Sequence, residues 1–199
     1  SDNFNKLGAN SFSVRPLSET LKSNDNGRNR KEAEPIVFDQ AMSFKENYQY
    51  GASRVSIESF CSGDATIKHG DKKTNPTVRV VGIDENYMNT SAYEIIAGRN
   101  FTNNEIMATA NKVIIGSEIV QSLFQDKPEK AIGKDLYINS DKYMIVGALK
   151  SKGSNSGGSN DRRVFIPLYN SKVQYGYADK SYNVTVAVAQ PNEMEDAIN

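Results

Sequence analysis

Apolar residues in this chain never run long. They gather in groups of three or four, each closed by a glycine, a proline or a polar turn, and this punctuation limits the fold more than any other feature. Val113-Ile114-Ile115 stops at Gly116, Ile95-Ile96-Ala97 at Gly98, and Val164-Phe165-Ile166 at Pro167. Groups of this length suit strands with buried faces. None approaches the roughly 20 apolar residues that a membrane-crossing helix needs. Period-two patterns add further strands: Ser11 to Arg15, stopped by Pro16, and Arg54 to Phe60, with Val55 and Ile57 on one face. Ala65 to Lys68, the turn His69-Gly70-Asp71 and Thr77 to Ile83 read as strand, turn, strand in a meander. Leu136-Tyr137-Ile138 and Tyr143-Met144-Ile145-Val146 flank the turn former Asn139-Ser140-Asp141 and should pair as a hairpin.

Helical signals fall between these strands without regular order. Asp39 is positioned to cap a helix through Tyr48, with Gly51 ending it. Thr102-Asn103-Asn104-Glu105 has the spacing of a capping box. Ser117 can cap a helix that carries Ile119, Val120, Leu123 and Phe124 towards a core. Strict strand-helix alternation is absent, so the fold class is α+β rather than a doubly wound parallel sheet. Two segments read as flexible loops: the polar stretch 18–34, and the Gly/Ser-rich stretch 151–160. Val164 to Ile166 and Tyr182 to Ala189 resume the strand pattern, with polar residues 170–180 between them.

The 199 residues suffice for one domain or two small subdomains sharing an interface. Lys+Arg number 24 against 24 for Asp+Glu, so no global field draws the chain to nucleic acid. The single cysteine, Cys61, cannot form an internal disulfide. The sequence opens at Ser1 with no export-signal pattern. Near its end, Met194 and Ile198 begin an amphipathic helical pattern, which leads us to expect a piece of a longer protein.

Candidates for chemistry are sparse. Cys61 and His69 could form a nucleophile pair only if the fold brought them together beside an orienting third group; the simpler reading is a packed thiol and a turn histidine. Asp64, His69 and Asp71 lack the tight spacing of a metal-binding motif. Gly153 to Ser159 loosely copies a phosphate loop, but Ser159 stands where lysine is required. Asn89, Asn100 and Asn183 fit the glycosylation sequon and read as surface turns. Asp84 with Glu85, and Asp135 with Asp141, read as turn formers or solvated charges rather than an acid/base pair. Nothing here calls for catalysis, a cofactor or a metal.

An ordered series of short motifs is more informative. Val80-Val81-Gly82-Ile83-Asp84-Glu85-Asn86-Tyr87 is followed by Ile95-Ile96-Ala97-Gly98-Arg99-Asn100-Phe101-Thr102. Then come Val113-Ile114-Ile115-Gly116-Ser117, Ala131-Ile132-Gly133-Lys134, Tyr143-Met144-Ile145-Val146-Gly147 and Val164-Phe165-Ile166-Pro167-Leu168. The series resembles the MacB-like periplasmic core domain of MacB/FtsX-type ABC transporter permeases. On that resemblance Gly82, Asp84, Tyr87, Gly98, Arg99, Phe101, Thr102, Gly116, Gly133, Gly147 and Pro167 are structural signature positions.

The resemblance implies a Porter-like α+β subdomain from 1–83 and 163–199, and an inserted Sabre-like subdomain at 84–162. It places the domain on the periplasmic, extracytoplasmic face of the membrane, between transmembrane helices of its own permease, with ATP hydrolysis in a separate cytoplasmic domain or subunit. Its role would be to pass ATP-driven motion to a periplasmic substrate, adaptor or outer-membrane component. The cargo would be peptides, drugs or toxins in efflux, or lipoproteins in release. A dimer in the intact transporter is compatible with it. The competing reading is a free-standing periplasmic ligand-binding or protein-interaction module.

Overall fold

The short apolar groups become strands of one mixed sheet. The computed structural model describes residues 11–14, 34–155 and 158–188. In chain order these form β1 (Ser11–Val14), α1 (Phe38–Asn47), β2 (Arg54–Ala65), β3 (Ile67–His69), β4 (Lys72–Lys73), β5 (Val78–Ile83) and α2 (Tyr87–Thr90). There follow β6 (Ile95–Gly98), α3 (Asn103–Met107), β7 (Lys112–Ile115), α4 (Ser117–Phe124), α5 (Pro128–Ala131), β8 (Asp135–Ile138) and β9 (Asp141–Leu149). The last elements are β10 (Ser154–Asn155), β11 (Gly158–Ser159), β12 (Arg163–Pro167), α6 (Leu168–Tyr175) and β13 (Asn183–Ala187).

The main sheet runs β1-β13-β2-β5-β12-β7-β9-β8-β3-β4, with β6 paired to β9 off this path. β12 pairs in parallel with β5, and β7 in parallel with β9. The sheet is therefore mixed and the helices fall irregularly among its strands, as the α+β reading anticipates. The central strands are buried on both faces along most of their length, which is why β5, β7 and β12 read as near-continuous apolar runs broken only by Arg79, Lys112 and Arg163. Val81, Ile83, Ile114 and Phe165 join one core cluster with Ala41 of α1, Tyr87 and Met88 of α2 and Leu168 of α6. Their neighbours in sequence, Val80, Val113, Ile115, Val164 and Ile166, join the other, with Ile119, Val120, Leu123 and Phe124 of α4.

Several expectations change on the structure. The 65–83 region is not a simple meander. β5 pairs antiparallel with β2, while β3 and β4 form a separate hairpin whose β3 docks on β8. Asp39 is not the cap of α1; that position is Val37, whose N–H donates to the Gln40 side chain at 3.1 Å, half of a capping box. Gly116, not Ser117, precedes the first turn of α4. The polar stretch after Pro167 starts with helix α6, hidden in the sequence because its inward residues Asn170 and Ser171 are polar. The hairpin of β8 and β9 forms as expected, with Asn139 at φ 54 in its turn. Segment 151–160 includes the two-stranded ribbon β10–β11. Of the 18–34 stretch, 18–33 lie outside the described residues, as does the expected helical start at 191–198.

Two features of the sheet bear on function. β12 bonds to β5 on one side and β7 on the other, so the sheet continues across positions 83/84 and 162/163. β1 and β13 pair antiparallel with Ser11 opposite Ala187, so the incoming and outgoing strands lie side by side at one edge.

Where β6 meets β9, Gly98 faces Gly147. Gly98 has φ +72, and a Cβ there would lie 2.1 Å from the Val146 carbonyl oxygen; one on Gly147 would lie 2.5 Å from the Arg99 carbonyl oxygen. The strands can pair only because both side chains are absent. Gly98→Ala is expected to cost about 3 kcal/mol or more of unfolding free energy. Gly70→Ala, at φ +60 with open space around it, should cost only about 1 kcal/mol. Denaturant melts of the two variants check the contrast.

Candidate functional site

Asp84 stands where β5 gives way to α2, and its carboxylate gathers three segments of chain. Oδ2 accepts from Lys45 Nζ of α1 at 2.7 Å and from the Ile57 N–H of β2 at 2.9 Å. Oδ1 accepts from the N–H groups of Asn86 and Tyr87, each at 3.1 Å. The Asp84 N–H returns a bond to the Ile57 carbonyl at 3.1 Å, and the Asn86 amide donates to the Val55 carbonyl at 2.8 Å. Lys45 also reaches Glu85 at 2.5 Å. Asp84 is 1% exposed, and this burial pushes its pKa up to about 6, against the pull of Lys45 and the Ile57 N–H. Burial works to lower the Lys45 pKa, but the attraction of Asp84 and Glu85 wins and it is raised.

Arg99 and Thr102, expected as signature positions, take part in a second knot. Arg99 grips Glu105 with two parallel bonds, Nη1 to Oε2 at 2.8 Å and Nη2 to Oε1 at 2.9 Å, the fork geometry only arginine offers. The capping box is present: the Glu105 N–H donates to Thr102 Oγ1 at 3.2 Å, and the Thr102 N–H to Glu105 Oε2 at 3.0 Å. The Arg99 guanidinium, with the Thr102 N–H, holds the Glu105 pKa down to about 2. Asn100 ties the two knots by donating to the Glu85 carbonyl at 3.0 Å. A cavity of about 270 Å³ lies between them, lined by Met42, Lys45, Asp84, Ile106, Met107 and Leu168 among others.

The remaining signature residues are dispersed. Tyr87 and Phe101 are buried in the first core cluster. Gly82 lies under Ser171 of α6, and Pro167 ends β12 at the start of that helix. The Gly116 N–H donates to the Arg163 carbonyl at 2.9 Å, and the Gly133 N–H to the Ile145 carbonyl at 2.8 Å. Thus Asp84, Tyr87, Arg99, Phe101 and Thr102 come together at one end of the sheet, while Gly116 and Gly133 sit elsewhere and support turns.

The other candidates stay apart. His69 Nδ1 lies 2.7 Å from the Asp135 carbonyl oxygen and its ring packs 4.6 Å from Phe124, whereas Cys61 touches the Ser59 carbonyl at 3.5 Å. Burial raises the Cys61 pKa, the reverse of what a nucleophile needs. Asp64 is bonded to Ser62 at 2.7 Å, and the described residues include no group of three His, Cys, Asp or Glu side chains suited to a metal ion. In the glycine-rich segment, the N–H groups of Lys152 and Gly153 are already taken by Asp161, at 2.6 and 3.0 Å. Asp161 also accepts from Ser151 at 2.6 Å, so the cradle a phosphate would use holds an internal carboxylate. Neither Lys45 nor Asp161 stood out in the sequence. Their partners lie across the fold or beyond a loop, and the one usable signal was an acid closing a Gly/Ser-rich segment.

A family model described as the MacB-like periplasmic core domain matches residues 1–199. The chain is 32% identical over 138 residues to the macrolide export ATP-binding/permease protein MacB of Chlorobium phaeobacteroides, covering 68% of this chain and 20% of that protein. It is 29% identical over 130 residues to the uncharacterized ABC transporter permease YknZ of Bacillus subtilis, covering 65% and 31%. It is 26% identical over 137 residues to the pyoverdine export ATP-binding/permease protein PvdT of Pseudomonas syringae, covering 68% and 20%. The chain thus spans about a fifth to a third of the length of these curated relatives.

Two solved structures share its fold. The periplasmic region of MacB from Actinobacillus actinomycetemcomitans aligns with a TM-score of 0.65 and 17% identity, over 94% of this chain and 78% of that one. The extracellular domain of the ABC-type transporter YknZ from Gram-positive bacteria aligns with a TM-score of 0.61 and 19% identity, over 82% of each.

The two carboxylates should move stability in opposite directions with pH. Glu105 is held below its ordinary 4.5, so its contribution is complete above that value and is lost as pH falls towards about 2. Asp84 is held above its ordinary 3.8, so the folded state keeps a proton the unfolded chain has released, and stability falls as pH rises from 3.8 through about 6. Melting curves across pH should show Glu105→Gln flattening the acid limb and Asp84→Asn flattening the fall. Thr102→Ala should cost about 1 kcal/mol.

Proposed function

Because the chain belongs to the family of MacB-like periplasmic core domains, we propose that it is the extracytoplasmic part of an ABC transporter permease that carries ATP-driven motion from the membrane to a periplasmic cargo or adaptor. The observation that carries this reading is the pairing of β1 with β13. On this reading the links to two membrane helices would run from neighbouring strands, since Ser11 of β1 lies opposite Ala187 of β13. A displacement applied there enters a hydrogen-bonded sheet that reaches β4 through β13, β2, β5, β12, β7, β9, β8 and β3.

In this proposal the domain does no bond-breaking. ATP is hydrolysed in a separate domain or subunit, and the partners are the permease's own helices, a periplasmic adaptor or outer-membrane component and, in the assembled transporter, a second copy. The relatives named for macrolide export and pyoverdine export favour efflux over lipoprotein release. The division into a Porter-like part (1–83 and 163–199) and a Sabre-like insert (84–162) belongs to the same proposal, with β12 against β7 as the seam.

The test softens the tethers. In the full transporter, flexible Gly/Ser segments inserted just before Ser11 and after Val188 should lower transport about tenfold while ATP hydrolysis continues, because a slack linker cannot pass a displacement. Unchanged transport would overturn the mechanical role. A ligand-binding module would instead tolerate the insertions and show a thermal shift with a small molecule.

A further inference from the structure

One surface cavity brings together charges of both signs. It measures about 360 Å³ and opens between the first turn of α1, the end of α6 and the segment leading to β13. Two lysines, Lys172 and Lys180, line it together with two aspartates, Asp39 and Asp179. Three rings, Phe38, Tyr177 and Tyr182, stand beside them. The Tyr177 ring is 72% exposed, and Phe38 meets Tyr182 edge-on with 5.4 Å between ring centres.

These charged groups are only loosely committed to one another. Lys172 Nζ stands 3.9 Å from Asp39 Oδ1, beyond hydrogen-bond length, and 4.1 Å from the centre of the Phe38 ring. Lys180 is 5% exposed, yet its ammonium donates to the Tyr175 carbonyl at 3.1 Å and lies 5.7 Å from the centre of the Tyr177 ring. Among the described residues neither Lys180 nor Asp179 makes an ion pair. An ammonium has three hydrogens to place, so a buried one bonded to a single carbonyl retains unused donor capacity.

A site for a simple anion would not carry two carboxylates, and a site for a simple cation would not carry two ammonium groups. The lining suits a ligand that bears both signs. In an α-amino acid the carboxylate and the ammonium share one carbon, and Lys172 and Asp39 stand close enough together to meet both. Lys180 and Asp179, adjacent in sequence, offer a second such pair. The volume falls at the small end of the roughly 300–1,000 Å³ of small-molecule sites, as a free amino acid requires. The rings supply the faces and edges on which an aromatic side chain packs. We propose that this cavity binds a free aromatic α-amino acid, with its carboxylate on Lys172 and Lys180, its ammonium on Asp39 and Asp179, and its ring among Phe38, Tyr177 and Tyr182. The assignment stands apart from the transport reading: it is tested by binding to this domain, and the tethers by transport in the full protein, so either can fail alone.

Isothermal titration of the 199-residue chain with L-phenylalanine should give saturable heat, with a dissociation constant on the order of 0.1 mM. N-acetyl-L-phenylalanine lacks the ammonium and L-phenylalanine amide lacks the carboxylate, so each should bind about tenfold more weakly. Asp179→Asn keeps a residue type that tolerates the φ of 63 at this position and removes only the charge. It should weaken binding about tenfold with the melting temperature unchanged, which separates lost contact from lost fold. Tyr177→Ala, at an exposed ring, should weaken binding by about as much. Glu94→Gln with Lys150→Gln, at an exposed ion pair outside the cavity, should leave it unchanged. The proposal is overturned by absence of saturable heat, by either singly charged derivative binding as tightly as L-phenylalanine, or by an equal loss in the Glu94/Lys150 variant.

Discussion

Five residues, Arg163–Pro167, hold the sheet together. β12 lies parallel to β5, with Val164 opposite Val80 and Phe165 opposite Val81, and antiparallel to β7, with Val164 opposite Ile115. Remove it and the remaining strands divide into two groups that share no ladder along the path: β1, β13, β2 and β5 on one side, β7, β9, β8, β3 and β4 on the other. Val164, Phe165 and Ile166 are each 0% exposed. Complete burial of such side chains contributes about 1.5–3 kcal/mol apiece, so the stitching strand is also among the most firmly packed. Phe165 meets Tyr87 and Tyr93 from one face at 5.8 and 5.2 Å, while Val164 and Ile166 belong to the opposite core cluster.

Around that strand, among the described residues, the fold places its two buried carboxylates at crossings. Asp84 joins α1, β2 and the start of α2, and Asp161 joins the base of the 151–153 segment to the run into β12. In both cases backbone N–H groups that would otherwise lack partners converge on one carboxylate. A buried acceptor with several donors costs far less than a bare charge. Asp84 still sits near the margin, with a pKa of about 6, because burial outweighs Lys45. Its role is to fix the angle at which α1 and α2 meet the sheet. Its oxygens are occupied by Lys45 and by the N–H groups of Ile57, Asn86 and Tyr87.

How much of this was legible in the sequence depended on range. Thr102 and Glu105 declared a capping box by spacing alone, and it is present, because both partners lie within one turn. The hairpin around Asn139 and the helix carrying Ile119, Val120, Leu123 and Phe124 were legible for the same reason. Pairing was not: Val78–Ile83 joins β2 rather than β3, a choice set by which long-range partner covers its two faces. Helix α6 was hidden because Asn170 and Ser171, buried at 1% and 0%, make their bonds to Tyr143 and the Leu168 carbonyl, so an inward face appears polar. Lys45 and Asp84 are 39 residues apart, and no local rule connects them. The ordered motif series led to the family where single residues did not, because several short matches in order are far more specific than any one of them; Gly98 and Gly147, within the series, stand at close backbone approaches.

Those close approaches are what the proposed mechanical role would draw on. Gly98 against Gly147, Gly82 beneath Ser171 and Gly116 against the Asp161 carbonyl each leave no room for a methyl group. Elements packed backbone to backbone have little freedom to slide, so a displacement at one edge is not absorbed locally. A binding protein that closes over its ligand needs the opposite, a hinge between loosely joined parts, whereas β12 is hydrogen-bonded on both sides, to β5 and to β7. Beside this close packing lies the cavity between the Asp84 and Arg99 knots, lined by Met42, Lys45 and Met107 among others. On the proposed reading, residues lining that cavity can vary without disturbing the sheet through which motion would pass.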